Sequence, residues 1–237
     1  MIFTLNNSEY KCVIFDLDHT LWDYDRNCAE ALYELYEKND LKKRGIQSFE
    51  ELLTIFMELN TQMWDQYDLG IIQRDIIRYQ RFHRILLALG VDDYQLSLSM
   101  SSDYVSLSPT KKNLLPNAKT VLDYLAGNYR MLIITNGFED IQHTKLSSSG
   151  ISNYFDKVIT SETAGHKKPA KEIFDYALSV GNFKTEEVIM IGDNLNTDIK
   201  GALNASIDSV YFNPSRKGHS AAIQYEISDL IELKTIL

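Results

Sequence analysis

Basic residues are in short supply. Twenty-four lysines and arginines stand against 33 aspartates and glutamates, a formal net charge of −9. A field of that sign repels nucleic-acid polymers and anionic membrane surfaces unless a local basic patch overrides it. The short run Lys42-Lys43-Arg44 reads as a solvated helix end rather than such a patch. Cysteine is scarcer still. Cys12 and Cys28 form no CxxC pair, and no histidine-rich tract completes a metal site with them. This usage suits a reducing cytoplasm, the expected location. Cys12, inside an apolar stretch, reads as a small buried residue rather than a reactive thiol. No apolar run approaches about 18 residues, so no membrane-spanning helix is expected. MIFTLNNSEYK at the N-terminus lacks a basic start followed by a long apolar run, so no signal peptide is expected either.

What is present is enough to build a full core: 237 residues, 44% of them hydrophobic. Short runs rich in branched residues recur at Cys12-Val13-Ile14-Phe15, Met131-Leu132-Ile133-Ile134, Lys157-Val158-Ile159, Val188-Ile189-Met190-Ile191 and Ser209-Val210-Tyr211-Phe212. Apolar on both faces, they read as parallel strands covered on both sides. Helical patterns separate the last four. One has Pro116 as its first residue, ahead of Val121, Leu122 and Leu125. Others run from Phe138 to Ser149, closed by Gly150, from Ala170 to Val180, stopped by Gly181, and from Thr197 to Asn204. This alternation predicts an α/β fold with a doubly wound, mainly parallel sheet.

Between the first two strands the alternation breaks. Residues 22 to 108 carry no clear strand pattern. Ser48 and Glu51 form a capping-box pair ahead of Leu52, Leu53, Ile55 and Phe56. Ile76, Ile77, Phe82, Ile85, Leu86 and Leu89 repeat at helical spacing until Gly90, and the serine-rich stretch 97 to 109 keeps enough Leu and Val for another helix. The expected organisation is therefore a core of residues 1–21 and 109–237, interrupted by an all-helical insertion over 22–108. There is no internal repeat and no extended low-complexity segment.

Polar clusters follow the strands where open α/β sheets bind ligands. They are Asp16-Leu17-Asp18-His19-Thr20, Thr135-Asn136-Gly137, Lys167-Lys168-Pro169 and Gly192-Asp193 through Asp198. Each alone reads as an acidic turn or a solvated loop. Together, in order and each after its strand, they read as one site. Carboxylates as close as Asp16 and Asp18 raise one another's pKa. A divalent cation reverses that by favouring ionised oxygens, and a hard oxygen donor set without thiolate or imidazole suits Mg²⁺.

These motifs resemble those of the haloacid dehalogenase-like hydrolase superfamily, with its Rossmann-like core and, in residues 22–108, its C1-type cap. The resemblance implies a Mg²⁺-dependent phosphatase. Asp16 is then the nucleophile and a metal ligand. Asp18 gives the metal its backbone carbonyl and acts as general acid, then general base. Asp193 completes the metal site, and Asp198 holds Lys168 or a metal-bound water. Thr135 and the Asn136 backbone N–H bind the phosphoryl oxygens, and Lys168 neutralises charge on Asp16 and on the transferring group. Asp18 argues against a dehalogenase, since a halide leaves without a proton. His19, where Gly or Asp is more usual, reads as a loop residue.

In the insertion, Trp22 and Tyr67 are candidate walls of a leaving-group pocket able to stack on a nucleobase; the alternative is that both are packing residues. Arg74, Arg78, Arg81 and Arg84 share a helical face that reads as solvated rather than as a ligand clamp. FDLDHTLWD, the cap string WDQYDLG and HKKPAKEIFDYAL are together similar to the pyrimidine nucleoside-monophosphate 5'-nucleotidases of the superfamily. The expected partner is a small phosphorylated metabolite, a nucleoside monophosphate first. Alternatives are a sugar-phosphate or phosphoglycolate phosphatase or, in a different class, a catalytically idle phosphate-binding or interaction protein. Against the last stands the intact set Asp16, Asp18, Lys168 and Asp193.

Overall fold

The computed structural model describes residues 10–237. The start of the chain, read above for a leader and as the beginning of the core segment, lies outside the described residues up to position 9. Two compact units divide the chain. One ends its first segment at Tyr24 and resumes over Lys112–Leu237; the other is Asp25–Lys111. Each boundary falls three residues beyond the expected one, Asp25 against 22 and Lys112 against 109. The reason at the first is packing: Trp22 is fully buried in the core of the α/β unit, and Tyr24 packs against that core.

The α/β unit is built on six parallel strands in the order β3-β2-β1-β4-β5-β6. They are β1 (Cys12–Phe15), β2 (Arg130–Thr135), β3 (Lys157–Thr160), β4 (Val188–Gly192), β5 (Asp208–Phe212) and β6 (Tyr225–Ile227). Side chains alternate across a strand, so one sequence feeds two cores. Val13, Phe15, Met131, Ile133, Ile189 and Ile191 enter one cluster. Cys12, Ile14, Leu132, Ile134, Val188 and Met190 enter the other. In-register pairing, Val13 beside both Met131 and Ile189, stacks like on like within each face. Burial of the Cys12 thiol pushes its pKa up to about 12, which makes it inert.

The helical unit follows the expected pattern. It comprises most of α1 (Tyr24–Lys38), then α2 (Phe49–Asp68), α3 (Arg74–Ala88) and α4 (Tyr94–Leu107). The Ser48 hydroxyl accepts from the Glu51 N–H at 3.2 Å, capping α2. One expectation fails on α3. Arg81 is only 5% exposed rather than part of a solvated face. Its guanidinium lies 5.2, 5.7 and 4.5 Å from the ring centroids of Phe56, Phe82 and Tyr104, and donates to Asn60 Oδ1 at 2.8 Å. A planar, weakly hydrated cation can occupy an aromatic niche that would exclude an ammonium. Among the described residues, no helix is long and apolar enough to cross a membrane.

The remaining helices are α5 (Ala118–Leu125), α6 (Glu139–Ser148), α7 (Ser161–Ala164), α8 (Lys171–Gly181) and α9 (Lys200–Asn204). Pro116 is not the first residue of α5, because Asn117 takes a left-handed turn (φ 62°) before it. Nor does Gly181 stop α8 through its own φ. Asn182 supplies the left-handed cap (φ 57°), while a Cβ on Gly181 would stand 2.5 Å from the Phe183 ring. The helix expected over Thr197–Asn204 starts earlier, as a wide π turn over Leu195–Ile199. Strand β6 was not anticipated: a three-residue edge strand, Tyr225-Glu226-Ile227, has no apolar run to betray it.

Candidate active site

Strand β1 lies where the sheet's winding reverses, with β2 on one side and β4 on the other. Beyond its C-terminal end is the crevice that open α/β sheets use for ligands. Asp16 is the first residue past β1; its N–H donates to the Ile191 carbonyl at 2.9 Å and so extends the sheet. The chain then folds tightly. The Leu17 carbonyl accepts from the N–H groups of Leu21 and Trp22, both at 2.9 Å, and His19 takes a left-handed conformation (φ 62°). The His19 ring packs on Tyr24, with centroids 4.7 Å apart, in keeping with a loop residue.

Lys168 meets Asp16 from across the crevice. Its buried ammonium donates to Asp16 Oδ1 at 2.6 Å, Asp198 Oδ1 at 2.7 Å and the Ile134 carbonyl at 2.9 Å, which occupies all of its N–H groups. The side chain of Asn136 fixes the Lys168 backbone from both sides. Its Oδ1 accepts from the Lys168 N–H at 2.8 Å and its Nδ2 donates to the Lys168 carbonyl at 3.0 Å. Thr135, last residue of β2, is buried beside it, its hydroxyl accepting from the Gly137 N–H at 3.0 Å.

The fourth cluster closes the site. Asp198 sits on the π turn, and its Oδ2 accepts from the Asn194 N–H at 3.0 Å. Gly192 makes room for it: a Cβ there would stand 2.3 Å from Asp198 Oδ2. Asp193 Oδ1 accepts from the Thr20 hydroxyl at 3.3 Å, which ties the first and fourth clusters together.

Carboxylate oxygens of Asp16, Asp193 and Asp198 lie within 4.8 Å of one another. Three carboxylates share one ammonium, so negative charge is in excess. Burial works against the charge on Lys168, but the attraction of Asp16 and Asp198 and their hydrogen bonds hold it above its ordinary range. The deficit falls on the carboxylates. Loss of solvent, opposed by Lys168 and reinforced by Asp198, pushes Asp16 up to about 7. Loss of solvent, then Asp198 and Asp16, hold Asp193 well above the usual carboxylate range. A second cation would relieve this crowding. The donor set fits a hard divalent ion: oxygen only, with Asp198 engaged at both oxygens, whereas Asp16 and Asp193 each use only one in hydrogen bonds among the described residues.

Asp18 stands apart from this cluster. Its oxygens accept from the Lys145 ammonium at 2.6 and 2.7 Å, and Oδ2 also from Gln142 Nε2 at 3.3 Å. Both partners lie on α6 and were missed by the sequence reading. The signal was present, for Gln142 and Lys145 are three apart on the helix that follows Thr135-Asn136-Gly137 and so share a face. Trp22 corrects another expectation. Its indole is fully buried in the α/β core and carries the Lys145 ammonium 4.4 Å from its ring centroid, so it offers no platform for a nucleobase. Tyr67 lies near the end of α2 in the helical unit, buried and edge-on to Trp64 with centroids 5.5 Å apart.

Known proteins carry the same arrangement of chain. Residues 10–206 match the family model of haloacid dehalogenase-like hydrolases. The pyrimidine 5'-nucleotidase PynA of Streptococcus pneumoniae is 30% identical over 230 residues, 94% of each chain. The pyrimidine 5'-nucleotidase YjjG of Escherichia coli is 29% identical over 228 residues, 95% of this chain and 96% of that one. Among solved structures, the magnesium-bound HAD-hydrolase YfnB of Bacillus subtilis is similar with a TM-score of 0.86 at 28% identity, covering 96% of this chain and 98% of that one. With this sheet order, these strand-end clusters and these relatives, the chain belongs to the haloacid dehalogenase-like hydrolases, as an enzyme of their phosphatase branch.

Proposed function

We propose that the enzyme hydrolyses phosphomonoesters with Mg²⁺ through an aspartyl-phosphate on Asp16, and that nucleoside monophosphates are its substrates. The observation that carries the chemistry is the buried contact of Lys168 with Asp16 and Asp198, which fixes the Asp16 carboxylate at the strand end. Asp16 attacks phosphorus. The Thr135 hydroxyl and the Asn136 backbone N–H hold phosphoryl oxygens, and Lys168 offsets charge as it builds. Asp18 gives its proton to the leaving oxygen, then takes one from the water that hydrolyses the acyl-phosphate. Asp16 and Asp193, with the Asp18 backbone carbonyl, would hold Mg²⁺, which when bound supplies electrostatic stabilisation of the phosphoryl oxygens. Asp198 acts through Lys168. Residues 25–111 are read as the cap that selects the leaving group.

The substrate class is supported by the likeness to pyrimidine 5'-nucleotidases along nearly the whole of both chains. The test is a phosphatase screen over nucleoside monophosphates, sugar phosphates and phosphoglycolate, ranked by kcat/KM with and without Mg²⁺. Nucleotides ranked first and dependent on the metal support the reading. A sugar phosphate or phosphoglycolate ranked first overturns the substrate, and no turnover of any ester overturns the enzyme.

A further inference from the structure

Lys145 carries a charge that the proposed chemistry does not use. It is 4% exposed on α6, and its ammonium bonds both oxygens of Asp18 at 2.6 and 2.7 Å. On its other side lie the Trp22 ring at 4.4 Å and the Tyr24 ring at 5.7 Å. Gln142, one turn earlier, adds its own bond to Asp18 at 3.3 Å. The fit of that amide extends into the second cluster. A Cβ on Gly137 would stand 1.7 Å from Gln142 Nε2, so the glycine after Thr135-Asn136 is what admits it. Gln142 Oε1 is buried without a hydrogen-bond partner, a cost that makes sense if its Nε2 must face Asp18. A buried ammonium needs both a carboxylate and a good surround, and an aromatic face supplies the second. The contacts thus run in one direction, from Trp22 to Lys145 to Asp18.

We propose that Lys145 is a positioning residue for the acid: seated on Trp22 and flanked by Gln142, it fixes the Asp18 carboxyl in the orientation from which a proton passes to the leaving oxygen. The inference rests on the reading of Asp18 as acid and base. In the first step the bond from phosphorus to the leaving oxygen breaks, the bond to Asp16 forms, and the Asp18 proton goes to the departing oxygen. In the second step water takes phosphorus from Asp16, its proton goes to Asp18, and Asp16 is restored. Lys145 touches no reacting atom. Its value is geometric, since proton transfer demands hydrogen-bond reach and small misplacements are costly.

The test uses the full chain with saturating Mg²⁺ and measures single-turnover phosphoenzyme formation from p-nitrophenyl phosphate and from a nucleoside monophosphate. The first has a leaving group that needs little protonation, the second one that needs much. Lys145→Met keeps a long unbranched side chain and removes the charge. It should slow the nucleotide about tenfold more than the aryl ester, part of the ~10²–10⁴-fold that an acid contributes. Lys145→Arg should restore most of the loss. In an Asp18→Asn background Lys145→Met should cost nothing further, because it acts through the group already removed. Should Lys145→Met not fold, Lys145→Gln is read in the same way. If Lys145→Met slows both esters equally, or its loss multiplies with that of Asp18→Asn, Lys145 is a structural residue and the proposal is overturned. If Asp18→Asn itself slows both esters equally, the reading of Asp18 as acid falls, and this proposal falls with it.

Discussion

Asp16 is a carboxylate in a place that works against its charge, and that strain is measurable. Its raised folded-state pKa of about 7, against 3.8, means that the folded protein binds a proton more readily than the unfolded chain. Without metal, the stabilising contribution is fully present below about pH 4, is lost as pH rises through about 7, and is absent above. Asp16→Asn mimics the protonated form. In chelator, thermal unfolding should show the variant close to the native enzyme at about pH 4 and more stable at about pH 8; an equal difference at both values counts against the shift. The same variant should lose turnover, because an amide cannot form the acyl-phosphate. Near-native turnover by folded Asp16→Asn protein would refute Asp16 as nucleophile. Lys168 shows how one residue's precision depends on another's, since its ammonium is aimed by the Asn136 side chain holding its backbone. Asn136→Ala should therefore lower kcat by roughly tenfold or more even though it keeps the backbone N–H of that position. Unchanged kcat would show that the ion pairs alone suffice to aim Lys168.

At the level of elements, two of the turns at the strand ends are built around glycines for lack of space, not for φ. Gly192 yields to Asp198, and Gly137 yields to Gln142. Helix α6 has little amphipathic character to announce itself, yet its buried face carries Gln142, Lys145 and Leu146. In the helical unit, the Arg81 side chain is packing material as much as charge, its guanidinium bordered by Phe56, Phe82 and Tyr104. Arg81→Ala should destabilise by roughly 3 kcal/mol, combining a cavity with the lost cation–π contacts. Lys in its place should recover little, since an ammonium cannot lie flat between rings. Chemical denaturation measures both; an Arg81→Ala loss under about 0.5 kcal/mol would return the residue to an ordinary surface position.

For the whole molecule, charge is again the organising quantity. A net charge of −9 and a cluster of Asp16, Asp193 and Asp198 around one lysine predict that Mg²⁺ stabilises the fold. Ligand linkage gives about 2.7 kcal/mol at a hundredfold excess over Kd. The rise in Tm with Mg²⁺ should vanish in an Asp16→Asn, Asp193→Asn double variant, and a rise of the same size there would place the ion elsewhere. The sequence by itself determined where five strands fall along the chain, the helical interruption after the first, and the four polar clusters. Strand periodicity and strand-to-ligand spacing are local, so one dimension suffices to read them. Only the tertiary structure decided the rest. The partnership of Asp18 with Lys145 spans residues far apart in the chain. The burial of Trp22 under that ammonium, and of Arg81 among rings, turns on which face of a helix or loop meets the core. A short edge strand such as β6 exists only because β5 is there to pair with it. Contacts between distant residues are set by how elements pack, and packing depends on all the side chains at once.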